Sequence, residues 1–125
     1  MASRVRMGPM TVLVVGSGGR EHALCIGLAN SPSVEVVHCS PGNAGTSMVA
    51  TNHGVSTSDI EGMVALALEV AADLVVVGPE APLVNGLADS LREAGVSCFG
   101  PHSSGARLEA SKLHAKEIMR SLGVP

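Results

Sequence analysis

A glycine-rich turn between an apolar run and a helix-like segment is the first stretch whose residues could do chemistry. The sequence GSGGREH, residues 16–22, follows the apolar run VLVV. Backbone N–H groups at the start of a helix, with about half a positive charge, can hold a phosphate group. We therefore predict that Gly18, Gly19 and Arg20 bind phosphate. Two simpler interpretations stay open: the glycines serve only close packing, and Arg20 forms a solvated ion pair with Glu21.

The turn departs from the motifs that bind dinucleotides and nucleoside triphosphates. A dinucleotide-binding fold requires glycine or alanine at the third position of G-x-G-x-x-G, where this chain has Glu21. It also wants an acidic residue at the end of the second strand to hold ribose hydroxyls, but that run ends in Cys39-Ser40-Pro41. No G-K-[ST] follows the glycines, so the P-loop pattern is absent. These departures argue against NAD and leave a phosphate on a smaller molecule.

Two further loops follow strand-like runs and carry polar groups. The loop SPGNAGT, residues 40–46, contains Asn43 between two glycines that permit positive φ, and the loop GPEAPLVNG, residues 78–86, contains Glu80. An amide and a carboxylate can bind sugar hydroxyls or an amine. Turn chemistry alone would also explain Asn43, and a solvated loop acid would explain Glu80. If the three loops share one sheet edge, they predict a site for a small polyhydroxy phosphate, with no catalytic residue and no metal ligand.

Four short apolar runs rich in β-branched residues predict the elements that position these loops. They lack strict polar alternation, which is typical of strands covered on both faces of a parallel sheet. Helical segments lie between them, so we predict an α/β fold: an open, mostly parallel, Rossmann-like sheet with helices on both faces. The predicted strands are Thr11–Val15, Val34–Cys39, Leu74–Val77 and Val96–Phe99.

Helix signals are clearest in the second half of the chain. Apolar spacings of 3 and 4 predict a helix from Ile60, with Ser58 and Glu61 as a capping box. A second helix is predicted from Pro82, with Leu83, Leu87 and Leu91 on one stripe and Gly95 at its C-terminal cap. A third helix is predicted over 111–122, and a loop with at most a short strand over 46–55.

Composition excludes several classes of partner. The chain has 125 residues, is 46% hydrophobic, and has one Phe, no Trp and no Tyr. A formal net charge of -3 without a cluster of Lys and Arg does not suit a nucleic-acid surface, and aromatic residues for base stacking are missing. No apolar run approaches the roughly 20 residues that cross a bilayer. We therefore expect neither nucleic acid nor membrane as a partner.

The cysteines and most of the histidines are predicted to be structural. Cys25, Cys39 and Cys98 form no C-x-x-C pair, so we expect three reduced thiols and a cytoplasmic location. The histidines other than His22 are scattered along the sequence and are predicted to be surface or capping residues: His38, His53, His102 and His114.

Four sequence segments together resemble one enzyme family. They are VLVVGSGGREHAL, PGNAGT, VVVGPEAPLVNGLADSLREAGVSCFGP and LEASKLHAKEIMRSLGVP, in that order. In order and spacing they are similar to the N-terminal region of the phosphoribosylamine–glycine ligase (glycinamide ribonucleotide synthetase) family, from about Thr11 to Pro125. The combination is far more specific than any glycine motif alone.

The resemblance implies the second step of de novo purine biosynthesis. That family joins glycine to 5-phosphoribosylamine with ATP and Mg²⁺ or Mn²⁺, giving glycinamide ribonucleotide, ADP and phosphate. Its N-terminal, pre-ATP-grasp domain is expected to help hold phosphoribosylamine. By resemblance, Gly18, Gly19 and Arg20 take the phosphate side, and Asn43 and Glu80 the ribose or amine side. Lys112 matches a lysine that ATP-grasp ligases bring to the nucleotide phosphates.

The resemblance also suggests how the chain is divided. We expect an N-terminal extension over 1–10, the Rossmann-like domain over 11–110, and over 111–125 the start of a segment leading to an ATP-grasp domain. The metal ligands and most ATP contacts would lie in the remaining ATP-grasp and C-terminal domains, so this chain is expected to be inactive alone and able to self-associate. The alternatives are the opening domain of another ATP-grasp ligase, a nicotinamide-dinucleotide domain, and a non-enzymatic phosphosugar-binding module.

Overall fold

One five-stranded parallel sheet organises the part of the chain that the structure describes. The structure is a computed structural model, and it describes residues 9–79 and 81–100. The strands lie in the order β3-β2-β1-β4-β5, and every neighbouring pair is parallel. In chain order the elements are β1 Met10–Gly16, α1 Gly19–Ala29, β2 Val34–Pro41, β3 Thr51–Asn52, α2 Ile60–Glu69, β4 Leu74–Val77, α3 Ala81–Val84, α4 Leu87–Glu93 and β5 Ser97–Phe99.

The predicted open α/β sheet is confirmed, and helices cover both of its faces. On one face, α1 packs against alternate residues of the central strands, and on the other face α2 and α4 do so. The central strands β1 and β4 are therefore buried along almost their whole length, which explains why both read as continuous apolar runs. The buried residues on the α1 face are Val12, Val14, Cys25, Leu28, Val37, Cys39, Leu74 and Val76.

The strand order creates a natural place for a ligand. From β1 the chain passes to β2 on one side of the sheet, and the later strands β4 and β5 lie on the other side of β1. In open α/β sheets ligands bind outside the carboxyl ends of the strands where the order reverses. That point lies between β1 and β4. We call the space just beyond the carboxyl ends of these two strands, next to Gly16 and Gly78, the β1–β4 crevice.

The predicted strands are found with small shifts at their ends. β4 has the predicted bounds, while β1 begins one residue earlier, at Met10, inside the predicted extension over 1–10. The uncertain segment 46–55 contains a 3₁₀ turn at Thr46–Met48 and the two-residue strand β3. The expected helix over 111–122 lies outside the described residues, as do residues 1–8.

The predicted capping box of α2 is wrong by one residue. Asp59, not Ser58, is the N-cap, and its Oδ1 accepts a hydrogen bond of 2.9 Å from the Gly62 N–H. The Ser58 hydroxyl lies 3.0 Å from the Ser56 hydroxyl instead. Both Ser and Asp are good N-caps, so composition alone did not fix which of two adjacent residues ends the loop.

The single helix predicted from Pro82 is two helices. Gly86 has φ +96°, in the left-handed region, and separates α3 from α4. An L-residue rarely adopts that conformation, so Gly86 allows the break without strain. Leu87 and Leu91 are buried, as the apolar stripe predicted. The predicted role of Gly95 is also found, because it has φ +84° directly after the C-cap Ala94.

Candidate functional site

The first two predicted loops meet at the carboxyl end of the sheet, next to the end of β4. The Gly42 N–H donates to the Gly16 carbonyl at 2.9 Å, which joins the loop after β2 to the end of β1. The Gly78 N–H donates to the Val15 carbonyl, also at 2.9 Å, which places the first residue after β4 on the other side. The glycine turn therefore lies between the two neighbouring strand ends.

Glu21 is the residue whose role the sequence analysis missed. Its side chain is buried, with 6% of its surface exposed, and its Oε1 accepts a hydrogen bond of 2.7 Å from the Gly18 N–H. The carboxylate lies between two glycines: a Cβ on Gly16 would be 2.5 Å from the Glu21 Cγ, and one on Gly78 would collide with Oε2. The residue that breaks the dinucleotide motif therefore lies between the ends of β1 and β4, at the base of the β1–β4 crevice.

The sequence contained a signal for the hydrogen bond between Glu21 and the Gly18 N–H. A glutamate at the third helical position commonly bonds back to the N-cap N–H. Gly18 is the N-cap and Glu21 stands at that third position. The solvated ion pair considered for Arg20 and Glu21 is wrong, because the Glu21 carboxylate is buried and bonds to backbone.

Arg20 crosses the mouth of the crevice. Its Nη1 donates to the Gly78 carbonyl at 3.0 Å, while the residue itself is exposed. This bond uses one of the five N–H groups of a guanidinium, so the others can face a ligand. The structure thus places Gly78, the first residue of the loop 78–86, beside the positively charged guanidinium of the glycine turn.

Gly19 has open space around it. A Cβ at Gly19 would meet no atom within 4 Å, whereas one at Gly18 would lie 3.1 Å from the Glu21 Oε1. Close strand–helix packing therefore does not explain why Gly19 is glycine. An uncovered backbone at the first residue of α1 is what approach by an anion requires.

The Asn43 side chain binds protein groups at both ends. Its Nδ2 donates to the Ser17 carbonyl at 2.8 Å and lies 3.3 Å from the Gly18 carbonyl. Its Oδ1 accepts from the Thr46 N–H at 2.8 Å. Asn43 therefore fastens the loop after β2 to the glycine turn, and its contact with a ligand stays a prediction.

A buried hydroxyl holds this loop together and was not found from the sequence. Thr46 is fully buried, and its Oγ1 accepts from the Asn43 N–H at 2.8 Å. The same oxygen lies 3.0 Å from the Asn43 carbonyl and 2.8 Å from the Asn52 Oδ1, either of which can take its proton. The Asn52 Nδ2 donates to the Asn43 carbonyl at 2.9 Å. The short strand β3 thereby supports the loop.

The two glycines of this loop serve different needs. Gly42 has φ +77°, as expected for a turn glycine. Gly45 has φ -69°, so it does not use the positive φ that glycine permits, and its role is the close approach of another group. A Cβ on Gly45 would be 2.5 Å from the His22 Cε1, so glycine is needed because the His22 ring of α1 packs on its backbone.

His38 and His53 form a pair, which corrects their description as scattered residues. The His38 Nδ1 and the His53 Nε2 are 2.9 Å apart, with ring centroids 5.0 Å apart. Burial, and then the neighbouring His53, lower the pKa of His38. Glu80 and Lys112 lie outside the described residues, as do His102 and His114, so the roles of Glu80 and Lys112 stay predictions.

Cys25 and Cys98 are poor nucleophiles, whereas the hydrogen bond with Cys25 lowers the pKa of Cys39, which is fully buried and donates its thiol hydrogen to the Gly16 carbonyl. Cys25, Cys39 and Cys98 are all free. The hydrogen bond with the Cys39 thiol, followed by burial, raises the pKa of Cys25, and burial raises the pKa of Cys98 to about 12. Among residues 9–79 and 81–100, no three His, Cys, Asp or Glu side chains are grouped to hold a metal ion.

A family model decides what this arrangement belongs to. The model of the phosphoribosylglycinamide synthetase N domain matches residues 10–109, which contain all the loops described above. The chain belongs to this family. The resemblance inferred from the GGREHAL, PGNAGT and GPEAPL segments is thereby confirmed.

Two curated relatives of this N domain carry the same name. The phosphoribosylamine–glycine ligase of Streptomyces coelicolor is 55% identical over 116 residues, which are 93% of this chain and 28% of that protein. The ligase of the same name from Mycobacterium tuberculosis strain H37Rv is 53% identical over 115 residues, 92% of this chain and 27% of that protein. The chain thus spans little more than a quarter of the length of these relatives.

A solved structure also matches this N domain. The crystal structure of phosphoribosylamine–glycine ligase from Thermotoga maritima is 35% identical, covers 90% of this chain and 25% of its own, and has a TM-score of 0.45. Within the described residues, no helix combines the length and hydropathy that a membrane span needs.

Proposed function

We propose that this chain acts as the N-terminal, pre-ATP-grasp domain of an ATP-dependent phosphoribosylamine–glycine ligase. The observation that carries the proposal is the family match over residues 10–109, together with relatives of about half-identical sequence that bear this name. The reaction joins glycine to 5-phosphoribosylamine and yields glycinamide ribonucleotide, ADP and phosphate, the second step of de novo purine biosynthesis.

In this proposal the chain binds phosphoribosylamine at the carboxyl end of its sheet. Gly19 and Arg20 face the phosphate, supported by the open backbone at Gly19 and the guanidinium held at the Gly78 carbonyl. Gly18 shapes the turn, because its N–H is already bonded to the Glu21 carboxylate. Asn43 positions the turn and Glu80 completes the ribose or amine side.

ATP and the metal ion are assigned to other parts of the enzyme. The described residues group no three candidate metal ligands, and Arg20 is the one cation they hold at the crevice. We propose that Mg²⁺ or Mn²⁺ and most of ATP are bound by ATP-grasp and C-terminal domains, with Lys112 approaching the nucleotide phosphates.

Free thiols at all three cysteines support a cytoplasmic location. Exposed Met48, at 83%, is apolar surface available to those domains or to a second copy.

A titration of the chain tests this proposal against the dinucleotide alternative. A pyrophosphate in the β1–β4 crevice would meet the buried Glu21 carboxylate, so NAD and NADP are expected not to bind below about 100 μM, whereas ribose 5-phosphate, a stable part of the substrate, is expected to bind. Amide NMR spectra recorded during each titration give the dissociation constants. Saturable NAD binding tighter than that limit, with no response to ribose 5-phosphate, would overturn the proposal.

Activity of the isolated chain gives a second check. Because the ATP-binding domains are assigned elsewhere, we expect the 125 residues alone to release no ADP when supplied with ATP, glycine and phosphoribosylamine. Turnover that depends on both substrates would contradict the assignment of ATP to other domains.

A further inference from the structure

The second oxygen of the Glu21 carboxylate has no hydrogen-bond partner among the residues that the structure describes. Oε1 is bonded to the Gly18 N–H, and no hydrogen bond from a described residue reaches Oε2. No buried side-chain oxygen in the described part of the chain lacks a partner. Oε2 must therefore reach the surface, although the residue as a whole is 6% exposed. An oxygen that is almost enclosed but keeps some contact with solvent is able to accept a bond from a bound molecule.

The surroundings of this oxygen are made to admit a carboxylate. Gly16 and Gly78 lie on the two neighbouring strand ends, and a side-chain carbon at either would meet the Glu21 side chain. A capping bond to Gly18 would not by itself require Gly78, which follows a different strand, to lack a side chain. The carboxylate is thus held across the β1–β4 crevice, where ligands of open α/β sheets bind.

The charges at the crevice separate the two ends of a ligand. Glu21 repels a phosphate from the space between Gly16 and Gly78, and its Oε1 occupies the Gly18 N–H. The remaining attraction for an anion is the open start of α1 at Gly19 and the Arg20 guanidinium. A phosphate therefore lies outward, on the α1 side, and a hydrogen-bond donor lies inward, on the carboxylate.

We propose that Glu21 Oε2 accepts a hydrogen bond from a ribose hydroxyl or amine of the sugar phosphate and so fixes which way round the ligand binds. This inference rests on the proposed function, which supplies a ligand with a phosphate at one end and donors at the other. It makes Glu21 a substrate-binding residue. It also explains how the glycine turn selects one orientation of the ligand, which backbone N–H groups alone would not do.

The test compares two ligands on variants of the full 125-residue chain. Glu21→Gln keeps an oxygen for the Gly18 N–H but presents an NH₂ group in place of Oε2. Glu35→Gln makes the same change on the exposed face of β2 and is the matched control. Dissociation constants for ribose 5-phosphate and for inorganic phosphate are measured from amide NMR shifts, and thermal unfolding checks that each variant is folded.

The proposal expects a loss for one ligand only. Ribose 5-phosphate should bind about tenfold more weakly to Glu21→Gln, as expected for one bond to a charged group, while phosphate binds equally or more tightly. Glu35→Gln should match the parent for both ligands. Equal affinity for ribose 5-phosphate, or equal weakening of both ligands, would overturn the proposal. If Glu21→Gln does not fold, Glu21→Asp, which keeps the charge and shortens the reach, should show the same selective loss.

Arg20→Ala separates this inference from the proposed function. It should weaken both ligands, because each carries a phosphate. If Arg20→Ala weakens both ligands while Glu21→Gln changes the affinity for neither, the phosphosugar site is supported and the proposed role of Glu21 is wrong. If the parent chain binds ribose 5-phosphate no better than Arg20→Ala does, the proposed function falls and the role of Glu21 falls with it.

Discussion

Gly78 and Gly19 lie at the same end of the sheet, but only Gly78 has a side chain pressed against it. A Cβ at Gly78 would collide with the Glu21 carboxylate, whereas a Cβ at Gly19 would meet nothing within 4 Å. The two glycines are alike in the sequence and differ only through a contact made by a third residue. At this scale the space around a residue separates the packing role of Gly78 from the phosphate-binding role that we propose for Gly19.

A pair of alanine substitutions measures that difference. Gly78→Ala should destabilise the chain by about 1–3 kcal/mol, because overpacking forces the Glu21 side chain or the end of β4 to move. Gly19→Ala should be neutral or stabilise by about 0.5–1 kcal/mol, because an exposed helical glycine is replaced without a clash. Urea unfolding of both variants gives the free energies. Equal stability of the two variants would contradict the position of Glu21.

The sequence pointed to most of the site at this scale, but not to its central acid. Residue types and spacing predicted that the turn, Arg20 and the loop containing Asn43 meet at one edge of the sheet, and their contact with a ligand stays a prediction. Glu21 was noted only for breaking a motif, because its burial depends on Gly78, which is 57 residues away. A local pattern contains no record of such a contact.

At the scale of elements, β3 and the loop before it act as one unit. The fully buried Thr46 hydroxyl and the Asn52 amide tie the loop to the sheet, and Asn43 ties it to the glycine turn. The strand has only two residues, paired with His38 and Cys39 of β2. Sequence patterns predicted the long buried strands well, because apolar runs are visible along the chain. They left this segment open because its order comes from side-chain hydrogen bonds.

Removal of one hydroxyl tests the unit. Thr46→Val keeps the shape but leaves the Asn43 N–H without its acceptor and the Asn52 Oδ1 without its donor, so a loss of about 1–3 kcal/mol in the free energy of unfolding is expected. Thr51→Val, the same change on the exposed side of β3, should have little effect. Thermal unfolding midpoints of the two variants decide the matter, and an unchanged midpoint for Thr46→Val would show that the hydroxyl does not hold the loop.

The His38–His53 pair predicts how stability depends on pH. Burial and the nearby His53 lower the pKa of His38 in the folded chain below its unfolded value of about 6.5. The unfolded chain then binds more protons than the folded chain below pH 6.5, so stability should fall as pH drops from 7 towards 5. His38→Gln should flatten this dependence in thermal unfolding between those pH values. The same slope in parent and variant would contradict the pair.

At the scale of the whole molecule, the proposed function makes the chain one wall of a larger active site. It spans little more than a quarter of the length of its curated relatives, and its described residues offer backbone groups, one guanidinium and one buried carboxylate at the crevice. These groups suit binding and orientation of a sugar phosphate. Chemistry on that ligand would come from domains packed against this edge of the sheet.

The most direct test places this chain in a complete enzyme. Residues 1–125 would replace the matching segment of the Streptomyces coelicolor ligase, and ADP release would be measured with phosphoribosylamine and glycine varied separately. We expect turnover that depends on both substrates, and near-complete loss of phosphoribosylamine use in the Gly19→Val variant, with folding and the KM for ATP unchanged. A folded chimera whose KM and kcat for phosphoribosylamine are untouched by Gly19→Val would contradict a phosphate site at this turn.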